Sequence, residues 1–281
     1  MSKVDDRDQV RADQIATWDA VSDGWLAWTA EFERAAGAVS AELVRLAGVR
    51  PGQSVLDYGT GLGEPAFTVA DTVGPTGEVV GVDLSPRMVA RARERAAGRR
   101  GVRFLVGGPE VVPGGHDAVL SRWVLPLAAD RVGLLRALRA ALRPGGTLAA
   151  AVWGPPAEVP MIALGFRVLA GLLELPPPPP GPSPFALADP TALRDEVAAA
   201  GFREVLVTEV VVDFRLAAPD AFADFALDVL PPRLHGALRE RYGDAHHPEV
   251  RSALVGAVDG FRTDDGGLSL PSRCLLVRGV A

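Results

Sequence analysis

Ser54-Val-Leu-Asp57-Tyr58-Gly59-Thr60-Gly61-Leu62-Gly63-Glu64-Pro65 is the stretch whose reading decides the fold. Ser54 to Tyr58 reads as a short buried strand. Three glycines then fall at alternate positions, and the apolar run Pro65 to Val73 has helical spacing. Strand, glycine turn and helix open a βαβ unit. A turn without Cβ atoms lets a ligand approach the backbone, and a helix start adds unpaired N–H groups and a positive dipole end. The expected ligand is anionic or carries a carboxylate. A dinucleotide fingerprint would need Gly or Ala where Glu64 stands, so that reading fails.

Asp57-x-Gly59-x-Gly61-x-Gly63 resembles the first motif of class I S-adenosylmethionine (SAM) methyltransferases. The Glu64-Pro65 that follows resembles the small-molecule subfamily related to ubiquinone and menaquinone methyltransferases. The resemblance covers most of residues 15 to 278. It is strongest at 54 to 86 and 139 to 153. It implies SAM as cofactor, with Asp57, Tyr58, Gly59, Thr60, Gly61 and Gly63 around it.

Glu78 to Val82 is the expected second strand, ending in Asp83. That is about where a Rossmann-type fold meets a ribose, and a carboxylate can accept from two hydroxyls. Ser85-Pro86 also suits a helix start, so a simple cap is the alternative. Gly81-Val82-Asp83-Leu84-Ser85 resembles the family's second motif and implies Leu84 and Met88 at the cofactor. After the third strand, Val102 to Val106, the family usually has Gly-Asp-Ala-Glu, whose Asp and following N–H hold the adenine. Here the run is Gly107-Gly108-Pro109-Glu110. Gly108 has no acceptor and Pro109 no N–H. A local shift would let Glu110 substitute, so Gly108, Pro109 and Glu110 are placed at the base.

Asp117 to Ser121 is the fourth strand, with Ser121-Arg122-Trp123 at its carboxyl end, where open α/β sheets place ligands. This run lacks the Asn/Asp-Pro-Pro-aromatic tetrad of planar-amine methyltransferases. The expected acceptor is therefore an oxygen, a carbon or an aliphatic amine. Asp130 to Leu142 is a helix. Leu142-Arg-Pro-Gly-Gly-Thr-Leu148 turns into the fifth strand, Thr147 to Trp153, as in the family.

Residues 8 to 48 read as helical, with a break at Asp23-Gly24. Trp18, Trp25, Trp28 and Phe32 there either pack a helix on the core or form a lid over the site. Val159 to Leu173 is an apolar helix leading into Pro176 to Pro180, a stiff polyproline segment. Met161, Ile162, Leu164, Phe166 and Leu169 would wall a substrate pocket. A helix from Asp189 to Gly201, a sixth strand from Val205 to Phe214 and a last strand from Leu270 to Val277 complete the core. Between those two strands lies a mostly helical insertion whose apolar face carries Phe222, Phe225, Leu227, Leu230 and Leu234.

The fold class expected is thus α/β: a Rossmann-like, seven-stranded, mostly parallel sheet with an antiparallel last strand and helical cap insertions. The parts are an N-terminal lid (1–50), a SAM-binding core (51–154, 185–215 and 268–281) and caps (155–184 and 216–267). Trp18, Trp25, Trp28, Trp123 and Phe166 are the substrate-binding candidates.

The chain has 281 residues, 48% of them hydrophobic, so one large α/β domain with insertions has ample core. A net charge of −6 argues against a nucleic-acid surface. No apolar run is long enough to span a bilayer, and the charged N-terminus lacks a signal-peptide core. Lone Cys274 allows no internal disulfide and reads as core. A cytoplasmic protein with a small-molecule substrate is expected, and a homodimer is allowed. Among four histidines, His235 is the candidate general base because it falls in the cap. His246-His247 lacks the further ligands of a metal site.

The functional reading is SAM-dependent methyl transfer to a small apolar metabolite. The alternative is a methyltransferase-like enzyme that cyclises or rearranges an apolar molecule, motivated by Gly108-Pro109. A ligand-binding protein without catalysis is the third reading.

Overall fold

The computed structural model describes residues 3–177 and 181–281. The last three residues of the polyproline run, 178–180, lie outside the described residues. The chain opens with α1 (Lys3–Ala27) and α2 (Thr29–Ala47). The core then alternates: β1 (Ser54–Tyr58), α3 (Ala66–Val73), β2 (Glu78–Asp83), α4 (Pro86–Arg95), β3 (Val102–Val106) and β4 (His116–Arg122). Next come α5 (Arg131–Ala141), β5 (Leu142–Trp153), α6 (Pro160–Leu172), α7 (Pro190–Ala199) and β6 (Arg203–Leu216). Helices α8 (Pro219–Asp228), α9 (Pro232–Tyr242) and α10 (Pro248–Ala257) precede β7 (Leu268–Val280).

The seven strands form one sheet in the order β3-β2-β1-β4-β5-β7-β6. β1 pairs parallel with β2 and β4, while β7 runs antiparallel to both β5 and β6. The expected sheet is therefore the one observed. Strand alternation sorts the core into two layers. Val55, Val79, Leu120 and Ala151 face α2, α3 and α4, while Leu56, Val80, Val119 and Val152 face α5 and α7. No α-helix joins β3 to β4. A 3-10 turn at Pro109–Val111 does so instead, because Pro109, Pro113 and the glycines leave no helix-forming run.

Two features depart from the expectation. α1 runs unbroken through Asp23 and Gly24, and the break falls at Trp28. Gly24 is not a hinge. A Cβ there would stand 2.0 Å from the Asp228 carbonyl oxygen, so the glycine lets α1 meet the end of α8. The Trp28 indole N–H secures that junction by donating to Asp228 Oδ2 at 2.8 Å. Polar anchors fix the rest of α1 across the carboxyl ends of the strands. Arg7 pairs with Asp130 at 3.0 Å, Arg11 with Glu110, and Asp23 with Arg87 at 2.7 Å and Arg91 at 3.0 Å. Asp19 accepts from the Arg87 amide and the Ser85 hydroxyl. Exposed ion pairs are screened by water and stabilise little, so apolar packing carries most of the attachment.

That packing is aromatic. Trp25 meets Phe32 edge-on at 5.1 Å and Phe225 of α8 at 5.6 Å, and Phe32 lies 4.8 Å from Phe214 of β6. Phe222, Phe225, Leu227 and Leu230 are buried as the insertion's apolar face requires. Cys274 is buried, which pushes its thiol up to about 12. Among the described residues no helix is long and apolar enough to cross a membrane.

Gly24 offers a test with two opposed effects. At a free helix position Gly→Ala would stabilise by about 1 kcal/mol. Here overpacking against the Asp228 carbonyl costs about 1–3 kcal/mol. Gly24→Ala should therefore lower the urea midpoint, and a raised midpoint would show that α1 does not abut α8.

Candidate active site

A cavity of about 480 Å³ lies over the carboxyl ends of β1, β2 and β4, roofed by α1 and closed by α6 and α8. Of the expected cofactor residues, Tyr58, Gly59, Thr60, Gly61, Asp83, Leu84 and Met88 line it. So do Trp18, Trp25, Trp123 and Phe166 of the expected substrate set.

The turn after β1 is built for close approach. A Cβ on Gly59 would stand 2.1 Å from the Val124 side chain, so the turn can lie against the segment that follows β4 only as glycine. Gly61, at φ +51°, has nothing within 4 Å of where its Cβ would be, so bare backbone faces the cavity there. The amides of Gly59 and Thr60 donate to the Val82 carbonyl at 2.7 and 3.0 Å. Gly61 donates to Asp83 Oδ2 at 2.8 Å and Gly63 to the Thr60 carbonyl at 2.8 Å. The turn thus presents clearance at Gly61, and the amides of Gly59, Thr60, Gly61 and Gly63 hold the turn itself.

The first turn of α3 is likewise satisfied. Asp57 Oδ2 accepts from the Ala66 amide at 3.1 Å, and Glu64 Oε2 from the Thr68 amide at 3.3 Å and hydroxyl at 2.9 Å. Two carboxylates thus neutralise the positive helix end, which does not remain a bare anion site. Burial raises both groups, Asp57 to about 7. Positive charge comes instead from Arg95 and Arg122, both in the cavity wall.

Asp83 ends β2 at the cavity wall. Its two oxygens accept from the Gly61 and Ser85 amides at 2.8 and 2.9 Å. Each oxygen keeps a lone pair for a hydroxyl donor in the cavity. The helix-cap alternative falls to Ser85, whose hydroxyl accepts from the Met88 amide at 3.0 Å.

The other predicted residues lie off the cavity wall. Asp57 is fully buried behind the turn, and Gly63 rests on the Phe67 ring. Ser121 donates its hydroxyl to the Tyr58 carbonyl at 2.9 Å and ties β4 to β1. Trp28 packs edge-on against Phe225 at 5.8 Å. Gly108, Pro109 and Glu110 do not line the cavity, because Glu110 turns back to the Gly108 amide at 3.0 Å and pairs with Arg11. That Arg11 bond holds the Glu110 carboxyl down at about 2. His235, on α9, is also absent from the lining, so its position does not support the base role expected for it. His247 instead caps α10, accepting from the Glu249 amide. Among the described residues no cluster of His, Cys, Asp and Glu could hold a metal.

Sequence reading missed the charged part of the wall. Arg122 donates from Nη1 to Glu33 Oε2 at 2.8 Å, Ser40 Oγ at 2.8 Å and the Ala36 carbonyl at 3.2 Å, and from Nη2 to Glu33 Oε1. Its side chain is only 7% exposed, so the pair is desolvated and its geometry matters. Arg95 donates to the Leu62 carbonyl at the turn. Beside Arg122, Trp123 sits at φ +62°, a conformation costing a bulky residue about 1–3 kcal/mol. It is held by its amide to the Ala151 carbonyl at 2.7 Å and by stacking on Trp153 at 4.2 Å. The Arg122 guanidinium lies 4.8 Å from its ring centre. Strain of this kind clusters at functional sites.

The comparisons agree with this geometry. Residues 50–160 match the family model described as a methyltransferase domain. The nocamycin O-methyltransferase of Saccharothrix syringae is 34% identical over 202 residues, 66% of this chain and 71% of that protein. The arsenite methyltransferase of Halobacterium salinarum is 37% identical over 108 residues, 37% of this chain but only 28% of that protein. YcgJ from Bacillus subtilis shares the fold at a TM-score of 0.54 and 17% identity, over 86% of this chain and 97% of that one. The chain belongs to the class I SAM-dependent methyltransferases of the small-molecule type, whose cofactor is SAM.

Asp57 gives a pH test. Its folded pKa, about 7, lies above the ordinary 3.8, so the folded state binds this proton more tightly than the unfolded chain. Its effect on stability is best below about pH 4 and declines as pH rises to about 7, by roughly 4 kcal/mol in total. Asp57→Asn keeps an acceptor for the Ala66 amide and removes the titration. Its stability between pH 4 and 7 should fall less steeply than wild type in urea titrations; an unchanged slope would show that Asp57 stays ionised in the fold.

Proposed function

We propose that this chain transfers a methyl group from SAM to an oxygen, carbon or aliphatic amine of a small, largely apolar metabolite. The observation that carries the reading is the continuity of one cavity. At one end lie the bare turn at Gly61 and the Asp83 carboxylate. At the other lie Trp25, Trp123, Met161, Ile162, Phe166 and Phe225. The residues fit the cofactor: open space at Gly61 for its tail and spare lone pairs on Asp83 for its sugar.

When bound, SAM supplies an electrophilic methyl group on a sulfonium. The chain's part is positioning, which can supply much of the rate of such a displacement. Trp123 and Trp153 make a flat wall at the end of β4 and β5 that suits a planar substrate face. α1, α6 and α8 exclude water from it. Burial raises the proton affinity of two carboxyl groups in the wall, Asp83 and Glu64. With Asp83 read as the acceptor for the cofactor's sugar, Glu64 is the group proposed to take a proton from an acceptor. The nocamycin O-methyltransferase relative supports an oxygen acceptor. The cyclisation alternative has one observation in its favour, that the loop at Gly108-Pro109 offers the base no contact.

Incubation with SAM and apolar hydroxylated acceptors should yield S-adenosylhomocysteine and a product heavier by one CH₂ in mass spectrometry. Product of unchanged mass would favour cyclisation. His235→Ala should leave kcat/KM within about twofold, whereas Glu64→Gln should lower kcat by about 10²–10⁴ if it is the base. Full activity of Glu64→Gln would remove that role.

A further inference from the structure

The loop after β3 is closed on itself. The Gly107 amide donates to the Asp83 carbonyl at 2.9 Å, and the Gly108 amide to Glu110 Oε1 at 3.0 Å. The Gly108 and Pro109 carbonyls accept from the Val111 and Val112 amides at 3.2 and 3.3 Å. Pro109 has no N–H, and Arg11 shares Glu110 Oε1 with the Gly108 amide. The sheet order β3-β2-β1 places this loop beside Asp83 on the side away from the glycine turn. With the cofactor's tail at the turn and its ribose at Asp83, the base lies toward that loop. Leu84, the residue after Asp83, gives the cavity wall an apolar side chain there. A base there still carries polar edges that need partners.

Gln14 supplies one. It lines the cavity from α1, three residues after the Arg11 that sits on the loop. Residues so spaced share a helix face. Its Oε1 accepts from the Trp18 indole N–H at 3.0 Å. An indole nitrogen only donates, so this contact fixes which end of the amide is oxygen. The NH₂ end and one oxygen lone pair remain. A carboxamide offers adenine a matched donor and acceptor, one for a ring nitrogen and one for the exocyclic amino group.

We infer that Gln14, oriented by Trp18, is the residue that recognises the adenine of the cofactor, in place of the loop after β3. The inference rests on the reading that the chain binds SAM. Hypoxanthine presents a carbonyl where adenine presents an amino group, so a fixed amide oxygen would face another acceptor.

The test is calorimetry of the intact chain with S-adenosylhomocysteine and its inosine counterpart. Wild type should bind the adenosine ligand at least about tenfold more tightly, the loss expected for one or two hydrogen bonds. Gln14→Leu should weaken the adenosine ligand by about tenfold and bring the two affinities within about threefold. The thermal midpoint of each variant shows that it is folded, and the ratio of affinities is insensitive to a general loss of packing. Discrimination retained in Gln14→Leu, or absent in wild type, would overturn the role of Gln14 while leaving SAM binding intact. No binding of S-adenosylhomocysteine by wild type would instead overturn the functional reading itself.

Discussion

The turn after β1 lies so close to the segment after β4 that a single methyl group would not fit between Gly59 and Val124. That contact sets the rest of the site. It aligns the ends of β1 and β4, lets the Gly59 and Thr60 amides reach the Val82 carbonyl, and brings Gly61 to Asp83. The ends of β1 and β2 are thereby joined by hydrogen bonds, and the segment after β4 by the Val124 contact, while Gly61 leaves open space above them. The cavity exists because this corner has no bulk.

A second constraint joins the helical roof to the sheet. Arg122 leaves the end of β4 and is held by Glu33, Ser40 and the Ala36 carbonyl of α2. Burying a charge pair is weakly stabilising at best, yet removing one partner leaves the other stranded, which typically costs about 3–5 kcal/mol. The pair therefore specifies where α2 sits more than it adds stability. Phe32, one residue before Glu33, uses that placement to meet Trp123 at 5.5 Å. Phe32, the strained Trp123 and Phe225 of α8 then share one aromatic cluster in the cavity wall.

Much of the fold could be read from local chemistry. Short apolar strands, the glycine turn and Ser85-Pro86 each act within a few residues, and the strands and helix they announce are present. Arg143-Pro144-Gly145-Gly146, expected as the turn into the fifth strand, instead lies within β5, where the pairing with β4 is irregular. Gly24 shows the limit of such reading. A glycine within a helical run suggests a break, but this one answers to the Asp228 carbonyl, more than two hundred residues away. His235 shows it again, since membership of an inserted helix does not say which way that helix turns.

The sequence by itself determined the parallel sheet, its crossover points, and the acid at the end of β2, because these follow from backbone sterics and residue type at short range. Only the tertiary structure decided which polar groups remain available to a ligand. It engaged the turn amides and the α3 start with Val82, Asp83, Asp57 and Glu64, drew Glu110 away to Arg11, and brought Gln14, Glu33, Arg95 and Arg122 to the cavity. The physical reason is that a hydrogen-bonding group is committed by whatever partner folding brings within about 3 Å. For Gly61, Glu110 and Arg122 that partner comes from a distant part of the chain.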